Sequence, residues 1–244
     1  MSLAIDRLAQ TGRWRRRAPA EKAALALGLL VLALVMPPWP GAALVLAATW
    51  AVALGPARLP PADWLRLNLL PLGFVLTGAV TLAVEIGPNG PGLAADHGMA
   101  ALAVVLRAAA AAGALLLLAA TTPTPDVVRG LRRLGLPADL VDVMLLTWRF
   151  VFLLLDAATA IRAAQEARLG WQGWRRSIRS LGLLIALLLP RAMDRARRLE
   201  VGLAARGFDG TLPMLSPVRP VSMPFLAISA VGLGVLTGSC LWLI

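Results

Sequence analysis

Residues 98–121 read GMAALAVVLRAAAAAGALLLLAAT, an apolar run interrupted by one charge, Arg107. A helix needs about 20 such residues to cross a hydrocarbon core about 30 Å thick. Inside lipid the backbone must satisfy its own amides, so the run predicts a membrane-spanning helix. Other apolar segments lie on either side: Ala23–Met36, Gly41–Ala57 and Leu67–Gly87 before it, Val221–Ile244 after it. The first two are short and are joined by Pro37-Pro38-Trp39-Pro40, where proline ends each helix in a tight turn. They read as a short spanning hairpin, the other reading being a shallow re-entrant pair. Trp39 and Trp242 fall at one border of these segments, Trp14 and Trp64 at the other, as interfacial tryptophans do.

The composition excludes several classes. Of 244 residues, 59% are hydrophobic and 15% charged, too little polar surface for a soluble domain of this length. The 24 Lys+Arg against 13 Asp+Glu give a net charge of +11. A basic balance can serve nucleic acid, an anionic membrane face or acidic protein grooves, and the long apolar runs make nucleic acid the weakest of these. A single cysteine, Cys240, and a single histidine, His97, leave no disulfide framework and no Cys/His metal cage. His97 reads as a loop histidine beside Asp96, and no metal site is assigned to this chain. The sole lysine, Lys22, cannot build a G-x-x-x-x-G-K-[ST] phosphate loop. No nucleophile–histidine pair exists and the carboxylates are scattered, so no catalytic residue is assigned and the chain does not read as an enzyme.

Arginine placement orients the chain. With about five spans and the amino terminus inside, the cytoplasmic pieces are residues 1–22, 58–66 and 122–220. They hold every arginine except Arg107, together with Lys22. Counting Val141–Leu155 as a further span would move Arg162, Arg168, Arg175, Arg176 and Arg179 outside, against the positive-inside rule. The predicted fold is an all-α membrane protein with its amino terminus cytoplasmic and its carboxyl terminus outside. Residues 1–121 form a four-span membrane region, residues 122–220 a block of cytoplasmic helices, and residues 221–244 the last span.

The 122–220 block predicts one short helix and two long ones. A cap near Thr124 opens Asp126–Leu134, which Gly135 ends. A second helix runs from Pro137 to Arg168, its middle, Val143–Leu155, apolar nearly all round and so in need of cover on most sides. Gly170 is read as its end. The third runs from Trp174 to Arg206, kinked at Pro190 and ended by Gly207. The long helices finish alike, with Ala167-Arg168-Leu169-Gly170-Trp171 and Ala205-Arg206-Gly207-Phe208. An arginine in a last turn complements the helix dipole, and a following glycine makes a C′ cap. The same arginine can also project a five-donor fork into a partner's carboxylates.

These paired tips resemble those of the transmembrane T component of energy-coupling-factor transporters, the cobalt/nickel CbiQ type. There, Ala-Arg-Gly motifs end two coupling helices that dock on a pair of ABC ATPases. Ala205-Arg206-Gly207 matches, while Ala167-Arg168-Leu169 departs at its third residue before Gly170. Further likeness is carried by Thr121-Thr122-Pro123, by Leu131-Arg132-Arg133-Leu134-Gly135-Leu136-Pro137 and by Arg149-Phe150. Ile5-Asp6-Arg7-Leu8-Ala9 and Pro71-Leu72-Gly73-Phe74 look like the metal-transport branch. The resemblance covers essentially the whole chain. It implies a multi-pass protein of the bacterial inner membrane, coupling two ABC ATPases to a membrane substrate-binding S component. Ala167, Arg168, Gly170, Ala205, Arg206 and Gly207 would contact the ATPases. ATP would be used by those partners, and cobalt or nickel held by the S component, with no cofactor on this chain.

Other features have two readings each. Glu85 and Arg107 read as an ion pair within the membrane or as part of the S-component interface. Arg149 and Asp156, seven apart, read as buried polar anchors between the long helices, with Arg149 also a candidate partner contact. Ala230, Gly234 and Gly238 form a small-residue face on the last span, suited to close packing within the chain or to contact with the S component. The alternative function is a stand-alone permease or channel whose basic block binds anionic lipid.

Overall fold

The computed structural model describes residues 4–87, 90–93, 95–208 and 219–243. They fall into two compact units, one of residues 3–127 and 218–244, the other of residues 128–217. In the first, the membrane unit, α1 (Ala4–Thr11) and a 3-10 turn (Arg13–Arg16) lead into α2 (Pro19–Val35). A short turn at Pro38–Ala42 precedes α3 (Ala43–Leu54), and then come α4 (Pro61–Ala83) and α5 (Ala95–Thr121). The fold is all-α apart from a small hairpin between α4 and α5, β1 (Val84–Gly87) with β2 (Gly90–Leu93), in antiparallel register Val84↔Leu93. The span expected to reach Gly87 therefore ends earlier and begins earlier, as Pro61–Leu82. Pro61 opens α4, where a missing N–H costs nothing. Helix α6 (Thr124–Arg133) leaves this unit, and α9 (Met223–Leu243) completes it.

Among the described residues, three helices are long and apolar enough to cross a membrane: Pro61–Leu82, Gly98–Thr121 and Met223–Trp242. Helix α5 is the central one, packing against α1, α2, α3 and α4. Its buried face is Ala110, Ala114, Leu117 and Ala120, a helical stripe small enough for close backbone approach. Gly113 sits against Thr49 of α3 and near Asn68 of α4, and Asn68 donates to the Trp64 carbonyl. Arg107 is not held as an ion pair by anything described: it donates to the Met36 carbonyl at 2.9 Å, and the Glu85 side chain lies outside the described residues, as does that of His97.

The two tryptophans expected at the other border, Trp14 and Trp64, are buried within the protein rather than exposed. Trp64 is fully buried and meets Trp50 edge-on, and Trp14 is 5% exposed. Trp39 and Trp242 stay exposed, as border residues should.

The second unit holds the remainder of α6, α7 (Ala138–Ala167) and α8 (Trp174–Ala204). Val128, Val141 and Leu145 pack with Leu136 into a small core, and α7 packs on α8. Helix α8 is continuous through Pro190. Val143, Met144 and Val151 are exposed, so the chain covers only one side of the apolar middle of α7.

Candidate functional site

The tips of α7 and α8 are built alike. At the end of α7, the Leu169 amide donates to the Glu166 carbonyl at 3.0 Å and the Gly170 amide to Gln165 at 2.9 Å. At the end of α8, the Gly207 amide donates to Ala204 at 3.1 Å and Phe208 to Leu203 at 3.1 Å. Each is a Schellman motif, the two bonds satisfying carbonyls that the helix end would otherwise orphan. In this frame Arg168 and Arg206 both occupy the cap position. The left-handed residues that follow are Leu169, at φ 56°, and Gly207, at φ 73°. The reading that Gly170 supplies the C′ turn is thereby corrected: Leu169 takes it, although a branched side chain there costs about 1–2 kcal/mol.

Gly170 has another duty. A Cβ on it would sit 2.8 Å from Ser180 Oγ and 3.0 Å from the Gln165 carbonyl. Ser180 Oγ donates to the Gly170 carbonyl at 2.8 Å, and Gln165 Nε2 donates to the Ser180 carbonyl at 3.0 Å. Arg162 bonds Glu166 at 2.8 Å and lies 5.1 Å over the Trp171 ring, and Ser177 Oγ donates to the Trp171 carbonyl. The turn from α7 to α8 is thus tied at several points, and it holds Leu169 in its left-handed conformation.

Arg168 and Arg206 are both exposed. The structure does not bring them together: Arg168 lies in the turn before α8 and Arg206 just past its far end, with the 31 residues of α8 between them, about 45 Å at 1.5 Å per residue. At that far end Arg195, Arg198 and Arg206 ring a hollow of about 250 Å³ with Leu199, Gly202 and Leu203. Arg195 and Arg198 were not read as site residues in the sequence. Their spacing from Arg206, with Gly202 leaving room between, puts all three on one helix face and was the available signal. Such a fork-lined hollow suits carboxylates.

Arg149 and Asp156 are exposed, not buried anchors between α7 and α8. Ala230, Gly234 and Gly238 are exposed as well, and nothing lies within 4 Å of a Cβ built on Gly234 or Gly238. Among the described residues, nothing packs closely on that face. The close approach of α9 uses glycines on the opposing segments: Gly28 of α2 against Leu233, and Gly41 against Cys240.

A second cluster joins the ends of the membrane unit's chain. Lys22, 1% exposed, donates from Nζ to the Thr121 carbonyl at 2.7 Å and to the Trp14 carbonyl at 3.2 Å. Burial pushes it down to about 8, against the opposing pull of Asp126. Glu21 accepts from the Ser222 amide and faces Arg17 at 3.6 Å, and Arg219 donates to Asp126 at 2.7 Å. The neighbourhood of the last span's start was not legible as a site, because its partners lie at opposite ends of the sequence.

These elements define a helical multi-pass membrane protein bearing a basic unit with two arginine-capped helix ends. The profile of the CbiQ family, described as cobalt transport protein, matches residues 11–216. The chain is 52% identical to the cobalt transport protein CbiQ of Rhodobacter capsulatus, across 93% of each. It is 32% identical to the CbiQ of Salmonella typhimurium, over 84% of this chain and 97% of that one. It is also 26% identical to a putative fused cobalt transport protein CbiMQ of Methanocorpusculum labreanum, over 65% of this chain and 28% of that protein. The chain belongs to the CbiQ family of cobalt transport proteins.

Proposed function

We propose that this chain is the energy-coupling membrane subunit of an ECF-type ABC importer for cobalt or nickel. The observation that carries this is the pair of arginines in identical cap geometry at sites about 45 Å apart along α8, one for each of two ABC ATPases. Arg168, with Ala167 and Gly170 shaping its turn, would enter an acidic groove on one ATPase. Arg206, with Ala205 and Gly207, would enter the other, and Arg195 and Arg198 would widen the second contact. The ATPases hydrolyse ATP, and the chain itself binds no cofactor and catalyses nothing. The exposed face of Ala230, Gly234 and Gly238 is offered to an S component that holds the metal, with Arg149 a further partner contact. A fused relative of which this chain covers 28% fits the idea of a CbiQ-type chain working beside another membrane component. In this arrangement the amino terminus is cytoplasmic, in a bacterial inner membrane, and the carboxyl terminus outside.

Gentle purification of the tagged chain from its native membrane tests the proposal. Recovery of an ABC ATPase with the wild type, and its loss with Arg206→Glu, is the expected result. A buried charge pair that loses one arm typically costs about 2–5 kcal/mol, and reversal adds repulsion. Undiminished ATPase recovery with Arg206→Glu and Arg168→Glu together would sink it. A chain that purifies alone and transports metal in vesicles would instead be a self-contained permease.

A further inference from the structure

The 3-10 turn at Arg13–Arg16 places basic side chains at a fixed depth of the membrane unit. In such a turn residues i and i+3 eclipse, so Arg13 and Arg16 stand one above the other, with Arg15 beside them. All three are exposed, and among the described residues no carboxylate pairs with any of them. The nearby acids are otherwise engaged: Glu21 with Arg17 and the Ser222 amide, Asp6 with Gln10 at 2.6 Å.

Trp14 points the other way and anchors the turn. Its ring meets Phe225 edge-on at 5.4 Å, and the Arg17 guanidinium lies 4.4 Å over the same Phe225 ring. The Trp14 carbonyl accepts from Lys22 Nζ, which also holds the Thr121 carbonyl. Phe225 is in the first turn of the span Met223–Trp242, and Thr121 is the last residue of the span Gly98–Thr121. Two separate spans thus mark the same depth, the level where hydrocarbon gives way to headgroups. An exposed arginine turn held at that level faces phosphodiesters.

We propose that Arg13, Arg15 and Arg16 form a binding site for the headgroup of an anionic phospholipid. Guanidinium forks match phosphate oxygens in bidentate geometry, and the buried Trp14 anchor holds them ready before lipid arrives. The lipid would fasten the beginnings of α2 and α9 to the leaflet at which α5 ends.

Native mass spectrometry of the full chain, titrated in detergent with phosphatidylglycerol, phosphatidylcholine or inorganic phosphate, tests this. The wild type should retain phosphatidylglycerol over phosphatidylcholine. Arg13→Gln, Arg15→Gln and Arg16→Gln should each weaken retention about fivefold, and the triple variant on the order of a hundredfold, from about 1 kcal/mol per arginine at a membrane surface. The triple variant Arg175→Gln/Arg176→Gln/Arg179→Gln removes the same charge elsewhere and should leave the preference unchanged. Equal loss in both triple variants would reduce the effect to net charge and overturn the site. So would a wild type without lipid preference, or displacement of the lipid by millimolar inorganic phosphate. The single variant Arg15→Gln, at an exposed position, keeps the test open if the triple variant does not fold.

Discussion

The Arg219 guanidinium donates to the Asp126 carboxylate across 2.7 Å, joining the point where the chain leaves the membrane unit to the point where it returns. Both side chains are largely buried, at 20% and 10% exposure. Removing one arm of such a pair strands the other charge away from water. Asp126→Ala or Arg219→Ala should each cost about 3 kcal/mol of stability in a thermal or denaturant melt. Asp126→Leu/Arg219→Leu, which removes both charges, should sit closer to wild type than either single variant. Additive losses in the double variant would mean the pair is not coupled.

Lys22 sets a pH dependence. Its ordinary value of 10.5 falls to about 8 in the fold because burial disfavours the charged form. Between those values the unfolded chain binds more protons than the folded one, so stability rises with pH across roughly pH 8–10.5. Below about 8 both states carry the proton and the slope vanishes. Melting temperature against pH should show this rise in wild type and lose it in Lys22→Met. That variant also gives up the bonds to Thr121 and Trp14, and should be less stable at neutral pH.

Leu169 holds a backbone conformation that glycine takes more readily. Leu169→Gly should raise the melting point, a gain of about 1 kcal/mol from relief of the left-handed penalty. Gly207→Ala should lose about as much at the other tip. Gly170→Ala should be the worst of the three, since its methyl would meet Ser180 Oγ and the Gln165 carbonyl. Unchanged melts for Leu169→Gly would mean that the tip network does not hold that residue in place.

Helix α9 approaches α2 through a notch. A Cβ on Gly28 would lie 2.5 Å from Leu233 Cδ1, so Gly28→Val should push the helices apart and cost about 1–3 kcal/mol by overpacking. Leu233→Ala in the same chain should restore part of the loss, which a double-mutant cycle by thermal melt would register.

Hydropathy made the long spans readable, because lipid leaves a helix few options. The Arg206-Gly207 cap was readable too, since glycine announces a left-handed turn. Leu169 hid its turn: alone it disfavours that conformation, and the bonds around it, among them Ser180 Oγ to the Gly170 carbonyl, come from the next helix. That Trp14 faces inward at the border was not readable, because the ring that covers it, Phe225, is almost the whole chain away. The small residues of α9 drew attention by their regular spacing. Yet the contact falls on Gly28 and Gly41, which are isolated glycines whose role depends on what stands opposite.

The Asp126–Arg219 link has one more consequence. A polypeptide that departs and comes back through a single clasped gap behaves as a host with a guest spliced into it. Residues 128–217 would then be the natural piece to exchange between relatives, with the two clasp residues kept in the host. Evolution could use the same seam, letting the two units diverge at different paces.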